Sequence, residues 1–327
     1  MNWEKRVVLV TGAAGFIGSH LVERLTRLGC RTRAFVHYNS AGSSGWLDSS
    51  PCRNDVEIVQ GDIRDGDSVE AAAKGVDAIF HLAALIGIPY SYRTPLAYVR
   101  TNVEGTLNVL EAARHHGVAR VVQTSTSEVY GTAQFVPITE AHPVKGQSPY
   151  SASKIGADKL AESYYLSFGV PVVTLRPFNT YGPRQSARAV IPTVISQALR
   201  GADLRLGNLT PTRDFNFVTD TAEAFVLAAS VDAAIGKTIQ IGTGREISMG
   251  DLVQAVSALV GRELKVTTDA ERIRPAGSEV DRLLCDPSLA KSVLGWESKV
   301  DFEDGLRQTF EWIQENQTRF SPDTYSV

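Results

Sequence analysis

The chain has 327 residues, 43% of them hydrophobic, which is enough for one large core or for two interleaved domains. Its net charge is −3 and its lysines and arginines are dispersed, so the composition does not favour a nucleic-acid partner. The three cysteines are widely spaced and form neither a metal pattern nor a disulfide framework, which predicts a reducing cytoplasm. The N-terminus is charged, and no apolar run approaches the ~18 residues of a membrane span. We therefore expect a soluble cytoplasmic protein without a metal or a membrane partner.

Apolar runs alternate with helical patterns through the first half of the chain. RVVLVT (6–11) predicts a buried strand, and FIGSHLVERLTRLG (16–29) predicts a helix that ends at Gly29. Longer helices are expected from about Pro95 to His115 and from Ser148-Pro149, a cap residue followed by proline. This alternation indicates an α/β fold with a doubly wound parallel sheet. Further strands are expected at 31–36, 56–60, 78–82, 120–125 and 171–177.

The alternation weakens after about Tyr181. TIQIGTG (238–244) predicts one more buried strand, so we expect a smaller, mainly helical second domain that partly returns to the sheet. Helices are expected there at 189–200, 219–230, 248–260, 286–294 and 303–316. The predicted domains are residues 1–180 with about 217–245, and residues 181–216 with 246–327.

The glycine-rich TGAAGFIG lies between the first predicted strand and the first predicted helix. Gly12, Gly15 and Gly18 allow a tight turn and the close approach of a pyrophosphate, while the helix N-terminus offers free N–H groups. A glycine triplet alone also suits a plain strand–helix turn, but here the strand precedes it and the helix follows it. We therefore predict a bound dinucleotide, also contacted by Phe16 and Ile17.

SPYSASK supplies Tyr150 and Lys154, whose i, i+4 spacing puts both side chains on one face of a helix. A nearby ammonium and an oxidised nicotinamide should lower the pKa of the phenol, so that Tyr150 takes a proton from a hydroxyl as hydride leaves the carbon. Such a pair also occurs by chance on exposed helices. Its position after the glycine turn, with Thr126 upstream in TSTSEVYG, favours catalysis.

These motifs, with GDIRD (61–65) and HLAAL (81–85), resemble the extended branch of the short-chain dehydrogenase/reductase superfamily, the NAD-dependent epimerase/dehydratase family. The resemblance covers nearly the whole chain. It implies a Rossmann-like first domain that holds the dinucleotide and a second domain that binds a nucleotide sugar. It also implies a homodimer, formed by the helices at 95–115 and 150–167. The implied cofactor contacts are Asp62 at the adenine, Ile63 packed on it, and Leu82, Ala83 and Ala84 along the cofactor.

The end of the second predicted strand leaves the choice between NAD and NADP open. Sites specific for NAD usually place Asp or Glu there, where the carboxylate binds the ribose hydroxyls and repels a 2′-phosphate. This chain has Val36 followed by His37, Tyr38 and Asn39, with no acid and no clear arginine pair. We expect His37 at the cofactor, which is NAD or NADP, tightly bound and recycled in each turnover.

Within this resemblance, TSTSEVYG implies a sugar-nucleotide 4,6-dehydratase. Thr126 is implied to hydrogen-bond the oxygen that Tyr150 deprotonates. Epimerases of the branch typically carry only Ser or Thr here, whereas dehydratases add an acid; Glu128 fits the base that removes the carbon-5 proton. Ser127 stands where many dTDP-glucose 4,6-dehydratases have Asp, and Thr-Ser-Glu is similar to GDP-mannose 4,6-dehydratase. The proton for the leaving hydroxyl is then delivered by Glu128, which has just taken it from carbon 5, or is relayed by water. The alternative is that Glu128 has a purely structural role.

The substrate side is predicted from two further stretches. RPFNTYGPRQ (176–185) resembles the loop that holds the nucleotide diphosphate, so Asn179 is implied at the diphosphate or sugar and Arg184 near the nucleotide. Arg213 resembles the arginine that clasps the phosphates, which its planar fork suits. A surface position is the alternative for each arginine. Asn102 is expected to organise the active-site backbone, and His81, beside the cofactor strand, to be a packing histidine.

Three stretches together look most like the configuration-retaining UDP-N-acetylglucosamine 4,6-dehydratases of legionaminic-acid-type pathways, which implies cell-surface glycan biosynthesis. Nothing in the residues themselves selects uridine over guanosine or thymidine. The alternatives are a nucleotide-sugar 4-epimerase, a 5,6-dehydratase and a non-catalytic dinucleotide-binding module. The stretches are LIGIPYSYRTPLAYVRTNVEGTLNVLEAA, TSTSEVYGTAQFVPITE and NTYGPRQSARAVIP.

Overall fold

The computed structural model describes residues 3–201, 203–273 and 275–320. Strands and helices alternate through its first half, as the sequence predicts. The strands are β1 (Val7–Thr11), β2 (Arg31–His37), β3 (Val56–Gly61), β4 (Ala78–His81), β5 (Arg120–Thr124), β6 (Val172–Pro177), β7 (Asn179–Tyr181), β8 (Leu204–Leu206), β9 (Thr212–Arg213), β10 (Phe215–Phe217), β11 (Thr238–Ile241), β12 (Ile247–Ser248) and β13 (Val266–Thr268). The helices are α1 (Phe16–Arg27), α2 (Gly66–Ala73), α3 (Ile88–Arg93), α4 (Pro95–Tyr98), α5 (Gly105–His116), α6 (Pro149–Phe168), α7 (Val190–Leu199), α8 (Val218–Ser230), α9 (Met249–Val260) and α10 (Phe302–Glu315).

A parallel sheet forms the centre of the described chain, with the strand order β11–β6–β5–β4–β1–β2–β3. Each neighbouring pair in this sheet runs parallel. Alternate residues of β1 point to opposite faces, so Val8 and Val10 join one core and Leu9 joins the other. Helices α1 and α8 cover the first face, and α2, α5 and α6 cover the second. The predicted Rossmann-like, doubly wound sheet is confirmed.

The helix predicted from Pro95 to His115 is not a regular α-helix along its length. Between α4 and α5 the segment Val99–Glu104 adopts π-helical hydrogen bonding. A 3.6-residue hydrophobic spacing predicts a helix but does not report a local change to i+5 bonding. The π-helical segment carries Asn102, which is buried, and this position becomes important at the site.

Other differences concern short elements. The helix predicted at 286–294 is reduced to a π-helical segment, Ala290–Leu294. The strand predicted at 238–244 ends at Ile241. Helices α2 and α3, of eight and six residues, were not predicted because they are too short for a clear apolar period.

A third apolar core lies outside the large sheet. It is built mainly by α7, α9 and α10, for example by Ile195, Val256 and Leu306. Beside it, β7 pairs in parallel with β10, which leads into α8. The division into two domains stays a prediction, and residues 321–327 of the second predicted domain lie outside the described residues.

The described ranges contain neither a membrane-spanning helix nor a cluster of metal-ligating side chains. None of the helices there is long and apolar enough to cross a membrane. The same ranges contain no group of three or more His, Cys, Asp or Glu side chains that could hold a metal ion. Cys30, Cys52 and Cys285 are buried free thiols.

Candidate active site

The turn between β1 and α1 has no room for side chains at its three glycines. Gly12 has a φ of +70°, and a Cβ on it would lie 2.7 Å from the backbone nitrogen of Ala83. A Cβ on Gly18 would lie 2.2 Å from the carbonyl oxygen of Gly12, and one on Gly15 would lie 3.2 Å from the same atom. Gly15 is the N-cap of α1. The turn thus leaves an open backbone cradle at a helix N-terminus, which fits a pyrophosphate.

The segment after β4 lies beside this cradle. Thr11 at the end of β1 accepts hydrogen bonds from the backbone nitrogens of Leu82 and Ala83, each at 3.2 Å. The Thr11 hydroxyl is 2.7 Å from Nδ1 of His81, whose Nε2 is 3.1 Å from the hydroxyl of Thr106. Burial lowers the pKa of His81 to about 3, so its ring is neutral and packs between two threonines, as predicted.

Other predicted cofactor residues lie at the start of α1, in the segment after β4 and in the segment after β3. Phe16 and Ile17 begin α1 and pack against the third core, and Ala84 follows Ala83 in the segment after β4. Ile63 is buried, and a Cβ on Gly105 would lie 2.9 Å from its Cγ2 atom. Their contacts with a cofactor stay predictions.

Asp62 and His37 lie together at the carboxyl ends of β3 and β2. Nδ1 of His37 is 4.0 Å from the Asp62 carboxylate. The backbone nitrogen and the guanidinium of Arg64 both donate to Asp62, with Nε at 2.9 Å from Oδ1. These bonds lower the pKa of Asp62 to about 2, so it is ionised at neutral pH. Arg64 is a basic group at this corner that the sequence analysis did not identify.

The loop after β5 brings Thr126 and Glu128 close to Tyr150. Thr126 is the N-cap of the short 3₁₀ turn Ser127–Tyr130, and its hydroxyl accepts from the backbone nitrogen of Glu128 at 3.3 Å. Hydrogen bonding by the Thr126 side chain is one influence on the pKa of the Tyr150 phenol, which it lowers. Ser127 is buried, whereas Glu128 is half-buried. The structure therefore places the three predicted groups in one location.

The expected lowering of the Tyr150 pKa is not found in the chain by itself. Burial raises the pKa of this phenol above its ordinary value, and the hydrogen bond with Thr126 opposes that effect only in part. The charge of Glu128 also raises it. Tyr150 packs edge-on against Tyr98, with ring centroids 6.2 Å apart, which explains the desolvation.

Lys154 lies one turn after Tyr150 on α6. The helix is fixed at its start by a capping box, in which Ser148 and Ser151 bond each other's backbone nitrogens. Nζ of Lys154 donates to the carbonyl oxygen of Thr124 at 2.6 Å. Burial lowers the pKa of Lys154 to about 8, and the charge of Asp158 opposes this.

Asn102 ties the segments of the site together. Its Oδ1 accepts from the backbone nitrogen of Leu85 at 2.8 Å, and its Nδ2 donates to the carbonyl oxygen of Leu85 at 2.9 Å. The same Nδ2 donates to the hydroxyl of Ser153 at 2.9 Å. Asn102 therefore organises the backbone around the site, as predicted.

A buried polar cluster behind the loop was missed by the sequence analysis. Arg176 donates from Nη2 to Asp158 at 2.8 Å, from Nε to Ser125 at 3.2 Å and from Nη1 to Tyr130 at 2.7 Å. Ser125 donates to Asp158 at 2.6 Å. The available signal was the position of Asp158, four residues after Lys154 on the same helix.

The predicted substrate residues have different surroundings. Oδ1 of Asn179 is buried and has no hydrogen-bond partner among the described residues, which fits a ligand contact. Arg213 is nearly buried and donates to the carbonyl oxygen of Thr212 at 2.9 Å. Arg184 instead lies against α1, where it donates to Glu23 at 2.7 Å. This ion pair accounts for Arg184 without a substrate, so its predicted role has less support.

The sheet, the glycine cradle and the neighbouring polar groups define the class of protein. They are those of a Rossmann-like α/β protein with a Thr–Tyr–Lys group beside its dinucleotide turn. The model of the family described as GDP-mannose 4,6 dehydratase matches residues 9–309.

Curated relatives and solved structures match over nearly the whole chain. The dTDP-glucose 4,6-dehydratase of Xanthomonas campestris pv. campestris is 35% identical, over 95% of this chain and 93% of the relative. The UDP-glucose 4-epimerase of Mycolicibacterium smegmatis is 36% identical, over 94% and 98%. The structure of DesIV, a dTDP-glucose 4,6-dehydratase from Streptomyces venezuelae with NAD and TYD bound, is 31% identical with a TM-score of 0.88, over 97% and 100%. The chain belongs to the nucleotide-sugar 4,6-dehydratase and epimerase family of the extended short-chain dehydrogenase/reductases.

Proposed function

We propose that the chain is an NAD-dependent nucleotide-sugar 4,6-dehydratase that converts a UDP-N-acetylhexosamine, UDP-N-acetylglucosamine, to its 4-keto-6-deoxy derivative. The observation that carries this proposal is the position of Glu128. It lies on the turn that Thr126 caps, close enough to Tyr150 for its charge to raise the phenol pKa. A carboxylate on this turn supports the removal of a second proton from the same sugar.

The proposed oxidation uses the Thr126–Tyr150 pair. Tyr150 takes the proton of the carbon-4 hydroxyl while Thr126 holds the oxygen, which is supported by the effect of the Thr126 side chain on the pKa of Tyr150. Lys154, held by the carbonyl of Thr124, keeps positive charge near the phenol that becomes a phenolate. NAD bound at the glycine turn would accept the hydride from carbon 4 and return it to carbon 6.

The proposed elimination uses Glu128. Once carbon 4 is a ketone the carbon-5 hydrogen is acidic, so Glu128 removes it as a proton while the carbon-6 hydroxyl departs. Glu128 delivers this proton to the departing hydroxyl, directly or through a relaying water, so that the group leaves as water. Hydride return to carbon 6 is completed by a proton that carbon 5 takes from solvent. Tyr150 returns the proton of the carbon-4 hydroxyl to solvent, so the net change is the loss of one water.

The choice of NAD is supported by fit and by likeness. Side chains at Gly12 and Gly18 would collide with neighbouring backbone, so glycine at these positions keeps the turn in a shape that suits a pyrophosphate. The DesIV structure contains NAD in the same fold. Extracting the purified protein with acid and identifying the released dinucleotide by mass spectrometry tests this choice. Release of NADP would contradict it.

The UDP-N-acetylhexosamine is supported by the resemblance of the three long stretches given above and by the UDP-sugar relative. Asn179, with its buried unpartnered oxygen, and Arg213 are proposed to hold the diphosphate side. The cytoplasmic location and the role in cell-surface glycan biosynthesis belong to the same proposal and have the resemblance as their support.

A 4-epimerase is the second candidate, because an epimerase relative is as similar to the chain as the dehydratase relative. Glu128 favours the dehydratase, since epimerisation needs no proton removal at carbon 5. A 5,6-dehydratase would share the elimination but place hydride and proton differently. A non-catalytic module has the least support, because Thr126, Tyr150 and Lys154 are all present.

One experiment separates these reactions. The protein is incubated with UDP-, GDP- and dTDP-sugars, and the products are analysed by mass spectrometry. Loss of one water supports a dehydratase, whereas unchanged mass with altered stereochemistry supports an epimerase. Deuterium placed at carbon 4 should then appear in the new methyl group at carbon 6. Label that stays at carbon 4 or is lost to solvent rules out the 4,6-reaction.

The proposed assembly is a homodimer through α4, α5 and α6. These helices expose large apolar side chains that a partner helix would cover. The exposed fractions are 59% for Leu96, 49% for Val99 between α4 and α5, 37% for Leu107, 73% for Leu166 and 57% for Phe168.

A further inference from the structure

Ser125, Asp158 and Arg176 form a closed triangle of buried hydrogen bonds. Ser125 donates to Oδ2 of Asp158 at 2.6 Å, and Arg176 donates to the same oxygen at 2.8 Å. Arg176 also donates from Nε to the Ser125 hydroxyl at 3.2 Å. The three residues are 3%, 8% and 5% exposed. Burial of the Arg176–Asp158 ion pair costs desolvation energy and adds little net stability, so stability alone does not explain this pair.

The triangle joins the two elements that carry the proposed reacting groups. Ser125 directly precedes Thr126, at the point where β5 passes into the loop. Asp158 lies on α6, four residues after Lys154, which itself lies four residues after Tyr150. Successive i, i+4 positions share one helix face. Arg176 holds both ends from β6, the strand beside β5.

We propose that Asp158 is a positioning residue of this site, which fixes the loop from Ser125 to Glu128 against α6 and supplies the negative charge that faces Lys154. The inference deepens the proposed function and rests on it for the meaning of the site. Asp158 does not touch the reacting atoms in this proposal. It acts through Ser125 on the loop and through its charge on Lys154.

The effect of the Asp158 charge on the pKa of Lys154 is measurable, because few other charges face this lysine among the described residues. Burial lowers the pKa of Lys154 to about 8, and Asp158 opposes this lowering. From β4, His81 is neutral above a pKa of about 3, so it adds no charge near neutral pH. From β6, Arg176 is paired with Asp158, and from the loop Glu128 faces Tyr150.

The sign of the effect follows from these groups. Without the Asp158 charge, burial of Lys154 is opposed less and Arg176 is no longer neutralised. Both changes disfavour the ammonium, so Lys154 should lose its proton at a lower pH. A residue with a merely structural role would not move this midpoint.

The direct test is an NMR titration of protein labelled at the lysine Cε carbons, with the Lys154 signal assigned by its absence in Lys154→Arg. Wild-type protein should titrate near pH 8, and Asp158→Asn should titrate lower by about one pH unit. Tyr130→Phe is the matched control, because it removes a hydroxyl from the same Arg176 without removing a charge. An unchanged midpoint in Asp158→Asn, or an equal shift in Tyr130→Phe, overturns the proposal.

Ser125→Ala tests the hold on the loop and remains informative if Asp158→Asn does not fold. It deletes the hydroxyl that Asp158 binds, and kcat should fall by about 10- to 100-fold with KM nearly unchanged. An unchanged kcat overturns the positioning role. The NMR titration needs no substrate, so failure of the proposed function is distinguishable. A shifted midpoint in a chain that dehydrates no nucleotide sugar would overturn the dehydratase and leave the role of Asp158 standing.

Discussion

Asn102 donates a 2.9 Å hydrogen bond to the hydroxyl of Ser153, the residue that precedes Lys154 on α6. Because Asn102 also holds both backbone groups of Leu85, one amide fixes the segment after β4 to α6. The geometry between the glycine cradle and the Tyr150–Lys154 pair is therefore set by side chains before any ligand binds. Because the backbone of the site is preorganised in this way, single side chains can be replaced while the rest of the site keeps its geometry.

Replacing Glu128 by Gln should separate oxidation from elimination. The amide keeps the shape of the carboxylate but cannot act as a base, while Thr126, Tyr150 and Lys154 are untouched. Hydride transfer should survive, so reduced-nicotinamide absorbance should build up on adding substrate. Formation of dehydrated sugar should fall by ~10²–10⁴-fold. Turnover within a few-fold of wild type would mean that Glu128 is structural.

Replacing Tyr150 by Phe should block the reaction earlier. The phenol hydroxyl is lost while the ring still packs against Tyr98. Neither reduced nicotinamide nor dehydrated sugar should accumulate, because the first proton has no acceptor. Stopped-flow absorbance after mixing with substrate checks this. Rapid cofactor reduction by Tyr150→Phe would assign the first base elsewhere.

Replacing Gly18 by Ala should damage the cradle. The added Cβ would lie 2.2 Å from the carbonyl oxygen of Gly12, so the turn must shift. NAD binding measured by calorimetry on stripped protein should weaken by about 10-fold or more. Gly277→Ala is the matched control, because nothing lies within 4 Å of its added Cβ. Equal affinities in the two variants would contradict a dinucleotide at this turn.

The protein should lose stability as the pH falls from 6.5 towards 4, partly through His20. Burial is the main cause that lowers the pKa of His20 from 6.5 to about 4. Between these values the unfolded chain binds the proton and the folded chain does not, so the free energy of unfolding falls with falling pH. The contribution of His20 is about 1.4 kcal/mol per pH unit at most.

His20→Gln isolates this contribution. The amide can still donate to the carbonyl oxygen of Pro183, which His20 contacts at 3.1 Å, but it does not titrate. Urea unfolding at several pH values should show a smaller loss in the variant than in wild type. His81 remains in both proteins and keeps part of the acid sensitivity. Identical losses in the two proteins would show that folding does not lower the pKa of His20.

Replacing Leu166 by Asp should dissociate the proposed dimer. Leu166 is 73% exposed on α6, and a carboxylate there would be buried without a partner in the interface. Sedimentation velocity at micromolar concentration should show a dimer for wild type and monomer for Leu166→Asp. Ile273→Asp, at another exposed apolar residue, is the control and should stay dimeric. A monomeric wild type would contradict this assembly.

The fold was predictable because its signals are local. Buried strands, capped helices and the glycine turn each occupy a few consecutive residues, and their alternation specifies the parallel sheet. The Tyr150–Lys154 pair was predicted from its i, i+4 spacing in the same way, whereas Thr126 was identified by resemblance. Glu128 was identified by resemblance, and its role stays a prediction.

What escaped prediction depends on contacts between distant residues. Arg176 meets Asp158 and Ser125 across three elements, and Arg184 meets Glu23 across 161 residues. Neither set of contacts has a sequence spacing that periodicity could reveal. The π-helical turn around Asn102 was missed because apolar spacing reports which face is buried and not how the backbone is bonded.

The strand β11 has a consequence for synthesis and truncation of the chain. It closes the outer side of β6 by parallel pairing, although some 60 residues of other structure separate the two strands. Until Thr238–Ile241 leave the ribosome, β6 is an unprotected edge whose own residues are all buried in the finished fold. Exposed apolar edges recruit other chains. A fragment ending before Thr238 should therefore aggregate, even though its glycine turn and α6 are complete.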